Sequence, residues 1–487
     1  MNLYFSDVFK IAESILEDYG AFNVSLVTDL PLFIDPFLLF NSENADYQRL
    51  HAHIISYLRF LKSKSERGSV SDALLKSWYC FSEVRQNWLG FCKSGNSGRG
   101  LGSDFARSLN RNLVLVFSDF GEEQVTQGSH LEKLCLIKGG VGRDMISDFT
   151  TNVIKQYLLE YTEAFAKEHI QTEFLRNVAV DRAVFSYDLE RWMPKNYMLP
   201  FYRGDYVLLT PKDMLTKDET WINHSDMVSR FEDIPDAIEN ASLRAQINNY
   251  FESMIPRDRD PNKEDYARAI ESTLEKYPQI IDYYIRQKED TGEEAVALSA
   301  TKVLESQKLY IKQFAELIAL LNQQTPFYSI PGKTKEETKQ KIEFFKDVVE
   351  NKGGYRIFYV DEKPVRKETD VHILFRLTWH GTPSDVSREV NDGRGPADFK
   401  VSRGSSDKTI VEFKLASNTQ LKRNLEKQLE IYQKASDAAA GFKVIIYFTE
   451  EEFDRVKRVL RELEMERDPH VYLVDARQDN KPSASKA

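Results

Sequence analysis

The sequence has 487 residues, of which 41% are hydrophobic and 29% are charged, a composition typical of a folded chain with several domains and not of a disordered one. Asp and Glu outnumber Lys and Arg by 76 to 66, for a net charge of −10, which excludes a uniformly basic coat but leaves room for a local basic cleft. The three cysteines lack CxxC spacing, and the eight histidines form no metal signature, so neither a disulfide framework nor a zinc finger is expected.

The sequence shows none of the patterns that direct a protein to a membrane. Residues 1–10 lack a basic region followed by an apolar stretch, so we expect no signal peptide. No apolar run reaches the length of about 18 residues that a membrane span needs. We therefore expect a cytoplasmic protein without a membrane partner.

The first part of the chain, residues 1–205, is predicted to be a mixed α/β domain with a recognition or regulatory role. The apolar spacing of Leu50–Leu61 and Val153–Phe165 predicts helices, whereas Asn112–Phe117 has the pattern of a buried strand. Leu30–Phe40 is apolar but is broken by a proline, so we expect a buried turn between two short elements.

The next part, residues 206–328, is predicted to be a helical middle segment. Glycine is scarce there, and Ala, Glu, Lys, Leu and Gln dominate. Ile311, Phe314 and Ile318 recur at intervals of three and four residues, which places them on one helix face. Two prolines and a glycine between residues 326 and 333 indicate a domain boundary.

The last part, residues 329–480, shows the clearest alternation of elements and ends in a polar tail, residues 481–487, that is predicted to be loose. We expect helices at Lys335–Asn351, Arg366–Trp379, Thr419–Ala435 and Glu451–Leu463. We expect strands at Tyr355–Val360, Pro396–Ser402, Lys408–Leu415, Phe442–Phe448 and His470–Val474. This order is typical of an α/β sandwich.

Two neighbouring predicted strands carry charged side chains that share one face of the sheet. Asp398 lies in the first strand, and Glu412 and Lys414 alternate with apolar residues in the second. The turn between the strands can bring Asp398 beside Glu412, and charges inside a small sheet are costly unless they are paired or bound to a metal. Two carboxylates with room for water suit Mg²⁺ or Mn²⁺, which can polarise a phosphate oxygen. A nearby lysine can orient water and stabilise negative charge, so the pattern predicts phosphodiester hydrolysis.

The spacing of Asp398 and the triplet Glu412-Phe413-Lys414 resembles the PD-(D/E)XK nuclease superfamily, over roughly residues 366–450. The resemblance implies a restriction-endonuclease-like α/β sandwich in the C-terminal domain. It also implies that Asp398 and Glu412 bind the metal, with the Phe413 carbonyl as a further ligand. Lys414 would be the catalytic lysine.

Further residues around this motif are candidates for contacts with nucleic acid. Gln428 and Tyr432 resemble the Gln-x-x-x-Tyr feature of one branch of the superfamily, although they also fit a helix face that packs on the sheet. Arg394 lies between glycines and could contact a phosphate, or the loop could be a plain tight turn. Lys422 and Arg423 could follow a nucleic-acid backbone or form a solvated helix face.

The superfamily often carries an additional acid before the strand that bears the first aspartate. Glu368 and Asp370 lie on the preceding predicted helix, and Glu389 lies in the loop that follows it. The sequence alone does not choose among the three.

These patterns favour a Mg²⁺-dependent (or Mn²⁺-dependent) deoxyribonuclease, and more specifically an endonuclease, with RNA as the alternative substrate. The long accessory part is typical of a bacterial restriction-like or antiphage defence effector, which an activating or restraining protein partner would control. A homo-oligomer is compatible with this reading, because many nucleases of this kind cut duplexes as dimers. The competing hypothesis is a catalytically silent nucleic-acid-binding or assembly protein that uses a nuclease-like platform.

Overall fold

The computed structural model describes residues 3–66, 70–90, 101–116, 123–137, 142–217, 219–256, 259–324, 333–379, 382, 384–391, 396–403, 407–426, 438 and 440–481. The chain forms two compact units, the first built mainly of residues before Leu304 and the second mainly of Leu304 and the residues after it. The boundary predicted near residue 328 lies outside the described residues.

The first unit is rich in helices. They are α1 (Phe5–Phe9), α2 (Glu13–Tyr19), α3 (Pro36–Phe40), α4 (Ala45–Glu66), α5 (Asp72–Trp78), α6 (Ser103–Val116), α7 (Lys133–Ile137), α8 (Arg143–Val153), α9 (Lys155–His169), α10 (His224–Ser229), α11 (Ala241–Met254), α12 (Lys263–Lys276), α13 (Ile280–Asp290) and α14 (Gly292–Gln307). Short 3₁₀ helices lie at Arg85–Asn87, Thr172–Phe174, Lys212–Met214 and Ile234–Ala237. The series from α10 to α14 confirms the helical character predicted for the middle of the chain.

Two small antiparallel sheets complete the first unit. Strand β1 (Leu32–Ile34) pairs with β5 (Leu215–Lys217). Strands β2 (Leu175–Ser186), β3 (Arg191–Tyr202) and β4 (Asp205–Tyr206) form a three-stranded sheet in that order.

The N-terminal predictions hold where a local signal was strong. Leu50–Leu61 lies within α4, and Val153–Phe165 covers the end of α8 and most of α9. Asp35 caps α3 by accepting a hydrogen bond from the Phe37 amide at 3.0 Å, which confirms the buried turn. The predicted strand at Asn112–Phe117 is wrong: residues up to Val116 belong to α6.

A short apolar run cannot be assigned to a strand or to a helix by periodicity alone. Leu109 and Leu113 are four residues apart and both are buried, as expected for neighbours on a helix face.

The second unit contains one mixed sheet of five strands. Its strands are β8 (Asp385–Asn391), β9 (Pro396–Arg403), β10 (Asp407–Leu415), β11 (Ala440–Tyr447) and β12 (Val471–Asp475), in the order β12-β11-β10-β9-β8. The pairs β8–β9 and β9–β10 are antiparallel, and β10–β11 and β11–β12 are parallel. The described residues therefore form a mixed α/β protein.

Helices and a small hairpin surround this sheet. The helices are α15 (Phe314–Gln324), which follows a π-helical turn at Lys308–Gln313, α16 (Thr334–Asn351), α17 (Glu368–Thr378), α18 (residues 421–426 of the described chain) and α19 (Glu450–Glu462). The hairpin joins β6 (Tyr359–Val360) and β7 (Lys363–Pro364).

Two sequence expectations in this unit need correction. The strand predicted at Tyr355–Val360 is confined to β6, because Gly354–Phe358 forms a 3₁₀ helix. Strand β8 was not predicted, and Glu389 lies in this strand and not in a loop. An edge strand with several polar residues lacks the apolar alternation that would identify it.

The two faces of the sheet pack against different helices. Phe375 of α17 contacts the ring of Phe413, with 4.4 Å between centroids. On the opposite face, Ile445 packs with Val456 of α19 in one buried cluster. Lys414 is the register partner of Ile445, so its side chain leaves the strand on the face opposite Phe413. None of the described helices combines the length and the apolar character needed to cross a membrane.

Candidate active site

Asp398 and Glu412 meet where strands β9 and β10 separate. The pairing of β9 with β10 ends with Phe399 opposite Val411, and one more residue in the same register would set Asp398 opposite Glu412. The Asp398 amide donates a hydrogen bond to Glu412 Oε1 at 3.2 Å. Beyond the paired region, the Phe413 amide of β10 donates a hydrogen bond to Asp398 Oδ2 at 2.7 Å. The Asp398 carboxylate thus takes the place of a backbone acceptor from β9.

Lys414 lies among three carboxylates. Its Nζ is 3.1 Å from Asp398 Oδ2, 3.4 Å from Glu412 Oε2 and 3.6 Å from Glu368 Oε2. Asp398, Glu412 and Lys414 are all buried. One ammonium cannot compensate all three carboxylates when they are ionised, so ionisation of this cluster favours the arrival of further positive charge.

Glu368 reaches this cluster from the first turn of α17. Its Oε1 accepts hydrogen bonds from the Leu415 amide at 3.2 Å and from Asn418 Nδ2 at 2.8 Å. Asp370, two residues further on, instead accepts a hydrogen bond from the Tyr310 hydroxyl. Of these two helix candidates for an additional acid, the structure brings Glu368 to Lys414. The side chain of Glu389 lies outside the described residues.

His372 belongs to the same site, and the sequence reasoning missed it. Its Nε2 lies 3.3 Å from Asp398 Oδ2, is buried and makes no hydrogen bond within the described chain. The ring packs against Phe399 with 5.6 Å between centroids. One signal was available: His372 follows Glu368 by four residues, which puts both on one helix face.

The surroundings shift the pKa values of Asp398 and Glu412 in opposite directions. Burial alone would raise the pKa of Asp398, but the neighbouring His372 imidazole and Lys414 ammonium hold that pKa well below its usual range. Burial and the negative charge of Asp398 raise the pKa of Glu412 well above its usual value. Burial lowers the pKa of Lys414, but the surrounding carboxylates outweigh it and raise that pKa. Asp398 is therefore ionised, and Glu412 ionises readily only when a cation joins it.

The donor set at this point suits a hard divalent cation. The amide and carbonyl of one strand residue point to the same edge, so the Phe413 carbonyl faces the side on which Asp398 lies. With Glu412 these groups offer oxygen ligands, and the His372 imidazole lies beside them, with Nε2 3.3 Å from Asp398 Oδ2. Oxygen donors with room for water suit Mg²⁺ or Mn²⁺. Across the described ranges, no three or more His, Cys, Asp or Glu side chains are already spaced to coordinate a metal, so a bound ion would also rely on the carbonyl and water.

The structure describes only some of the residues that the sequence predicts to contact nucleic acid. Lys422 and Arg423 are exposed on α18, and Lys422 Nζ pairs with Glu462 Oε2 at 2.7 Å. Arg394, Gln428 and Tyr432 lie outside the described residues, so their roles stay predictions.

Comparison with known proteins yields two matches to family models. Residues 10–223 match the model "Domain of unknown function (DUF8370)" and residues 334–450 match "Domain of unknown function (DUF8371)". The second match contains Glu368, His372, Asp398, Glu412 and Lys414. No curated protein matches the chain. No solved structure matches it either.

Proposed function

We propose that this protein is a metal-dependent nuclease that hydrolyses phosphodiester bonds of DNA at the site formed by Asp398, Glu412 and Lys414. The observation that supports the proposal most strongly is a buried ammonium in mid-sheet within 3.6 Å of three carboxylates, two from strands β9 and β10 and one from helix α17. A pair kept for stability alone would balance its charges, because uncompensated buried charge is strongly destabilising. An excess of buried carboxylate is instead what a site for a cation requires.

Each side chain has a distinct part in the proposed reaction. Asp398, Glu412 and the Phe413 carbonyl would hold Mg²⁺ or Mn²⁺, which when bound polarises a phosphate oxygen and lowers the pKa of a coordinated water. Lys414 would orient the attacking water and stabilise negative charge on the phosphate in the transition state. Glu368, itself held by Asn418, would keep the Lys414 ammonium in place.

The fold supports a relationship to the PD-(D/E)XK superfamily. The five-stranded mixed sheet, with its helices on both faces and its acidic residues on adjacent central strands, is compatible with a restriction-endonuclease-like domain. The remainder of the chain would recognise the substrate or bind an activating or restraining partner. By analogy of layout, we place the protein among bacterial restriction-like or antiphage defence effectors.

The proposal is tested by incubating the purified full chain with supercoiled plasmid, linear duplex DNA, single-stranded DNA and RNA, each with Mg²⁺, Mn²⁺ or EDTA. We expect metal-dependent cleavage of DNA by the wild type and its loss in Glu412→Gln. Nicking of the supercoiled plasmid would identify endonuclease action. Absence of metal-dependent cleavage of every substrate, together with equal metal-induced thermal shifts of the two proteins, would contradict the proposal and favour a silent binding platform.

A further inference from the structure

An arginine of helix α19 holds the turn that follows strand β10. Arg455 donates a hydrogen bond to the Asn418 carbonyl at 2.6 Å and another to the Ser417 carbonyl at 3.4 Å. The two acceptors belong to successive residues, so they suit the planar, two-pronged donor geometry of a guanidinium. The contact fixes the turn that connects α18 to β10, the strand of Glu412 and Lys414.

Asn418 joins this turn to the candidate site. Its side-chain oxygen accepts the Gln420 amide at 2.8 Å, and its side-chain nitrogen donates to Glu368 Oε1 at 2.8 Å. An asparagine amide has one acceptor end and one donor end, so the bond to the Gln420 amide orients the nitrogen toward Glu368. The Asn418 carbonyl accepts the Leu421 amide at 3.2 Å as well as Arg455. The arginine is thus one of several restraints on Asn418.

Glu368 carries this restraint to the buried ammonium. Besides Asn418, Glu368 Oε1 accepts the Leu415 amide at 3.2 Å, and its Oε2 lies 3.6 Å from Lys414 Nζ. The side chain of Glu368 is 25% exposed, so packing alone does not immobilise it, and its hydrogen-bond donors determine where the carboxylate lies. Partners of this kind orient the groups that carry out the chemistry, and a displacement of about 1 Å can slow a reaction by on the order of 100-fold.

We propose that Arg455 is a positioning residue of the proposed nuclease site, and that it acts through Asn418 and Glu368 on the Lys414 ammonium. Its catalytic consequence rests on the proposed function, whereas the contacts that join α19 to β10 are independent of that function. Because three backbone amides also hold this network, the loss of Arg455 should weaken the network without abolishing it.

The competing role for Arg455 is direct contact with a phosphate of the substrate, since many protein–DNA hydrogen bonds go to phosphate oxygens. Such a contact would act on substrate binding and would weaken with salt. A residue that positions Lys414 acts on the chemical step instead, so its loss lowers kcat and leaves KM unaltered. The two carbonyl contacts already direct the guanidinium to the turn, which favours the positioning role.

The first test measures the kinetics of cleavage of linear duplex DNA by the purified full chain with Mg²⁺. Arg455→Ala should lower kcat by about tenfold with KM unchanged. Arg458→Ala is the matched control, because Arg458 is exposed three residues further along α19 and its removal takes away the same charge; its kcat should stay close to that of the wild type. A raised KM with unchanged kcat in Arg455→Ala, or equal losses in the two variants, would overturn the proposal.

Arg455→Lys separates geometry from charge. Lysine keeps the positive charge but lacks the planar fork that reaches two acceptors at once, so we expect a kcat between those of the wild type and Arg455→Ala. The longer side chain also keeps much of the packing of the arginine stem, which makes this variant informative if Arg455→Ala folds poorly. Full wild-type activity of Arg455→Lys would show that charge alone is sufficient and would overturn the positioning role.

The second test combines Arg455→Ala with Glu368→Gln. If the arginine acts through Glu368, the double variant should cleave within about twofold of the rate of Glu368→Gln alone, and its loss of melting temperature should be smaller than the sum of the two single losses. Multiplied losses of rate or additive losses of melting temperature would overturn the proposal. An inactive wild type would overturn the proposed function instead, and the melting temperatures would then decide the role of Arg455 by themselves.

Discussion

Lys414 Nζ and Asp398 Oδ2 lie 3.1 Å apart, and the same Asp398 oxygen also accepts the Phe413 amide at 2.7 Å. Several donors therefore converge on one carboxylate oxygen, whereas Glu412 receives the Asp398 amide at 3.2 Å and a more distant ammonium at 3.4 Å. This asymmetry adds to the charge of His372, which lowers the pKa of Asp398, and to burial and the charge of Asp398, which raise the pKa of Glu412. The ionised form is therefore favoured at Asp398 and disfavoured at Glu412, whose ionisation a further cation would favour.

Removing the ammonium should make the stability of the second unit depend on metal. In Lys414→Met, the carboxylates lose their positive partner, and breaking such a buried pair costs about 3 kcal/mol. We expect a lower melting temperature in EDTA and a larger stabilisation by Mg²⁺ or Mn²⁺ than in the wild type, because the ion takes over the charge of the lost ammonium. Differential scanning calorimetry with and without metal measures both. An identical metal response of variant and wild type would contradict the site.

Glu368 and Asp370 offer a matched pair of substitutions within one helical turn. Glu368→Gln weakens the contact with Lys414, so we expect the rate of DNA cleavage to fall by about 10- to 100-fold, the usual cost of losing a supporting partner. Asp370→Asn should retain cleavage, since the Asp370 carboxylate accepts the Tyr310 hydroxyl. The two variants are compared with the wild type by their rates of DNA cleavage at a saturating metal concentration. Equal losses in the two variants would point to damage of α17 and would count against a role for Glu368.

His372 should contribute to metal binding through its contact with Asp398. We expect His372→Ala to raise the Mg²⁺ concentration for half-maximal cleavage by about tenfold. His470→Ala is the control, because His470 pairs with Asp468 at 3.2 Å and its side chain is 40% exposed. Titration of cleavage with Mg²⁺ gives the two values. Unchanged metal dependence of His372→Ala would show that this histidine has no part in the site.

The buried Glu132 carboxyl should make the stability of the first unit depend on pH in an unusual way. The side chain is fully buried, and within the described chain neither carboxylate oxygen has a hydrogen bond. Burial, and then the charge of Asp35, raises the pKa of Glu132 to about 8. Because this pKa is higher in the folded state than in the unfolded state, folding takes up a proton. Stability from this group is fully present below the unfolded value near 4.5 and is lost as the pH rises through the folded value.

Glu132→Gln should therefore flatten the decline of stability between pH 5 and pH 9. At pH 8 we expect the variant to be more stable than the wild type by on the order of 4 kcal/mol, since the pKa rises from 4.5 to about 8 and one pKa unit corresponds to about 1.4 kcal/mol. Thermal unfolding across this pH range gives the comparison, and Glu168→Gln, at a side chain that is 72% exposed, is the control. A wild type whose stability does not fall in alkali would refute the account of Glu132.

Local patterns were sufficient to predict the centre of the site but not its periphery. The two-residue alternation of β10 and the short connection to β9 determine that Asp398 and Glu412 share a face. His372 reaches Asp398 through the packing of α17 on the sheet, and no periodicity in the sequence reports such a contact. The choice between Glu368 and Asp370 likewise depends on the rotation of α17, which is set by tertiary packing. Strand β8 was not predicted because a short polar edge strand resembles a loop, and helix α6 was misread because a short apolar run is compatible with a strand and with a helix.

The most direct test of the catalytic centre compares two buried lysines of the second unit. Lys341 is fully buried and lies 3.7 Å from Glu337, so Lys341→Met removes a buried charge outside the site, just as Lys414→Met removes one within it. With Mg²⁺ and supercoiled plasmid, Lys341→Met should cleave at a rate close to the wild type, and Lys414→Met should be slower by about 10³-fold. Retention of wild-type cleavage by Lys414→Met, with both variants folded, would contradict the assignment of the catalytic lysine.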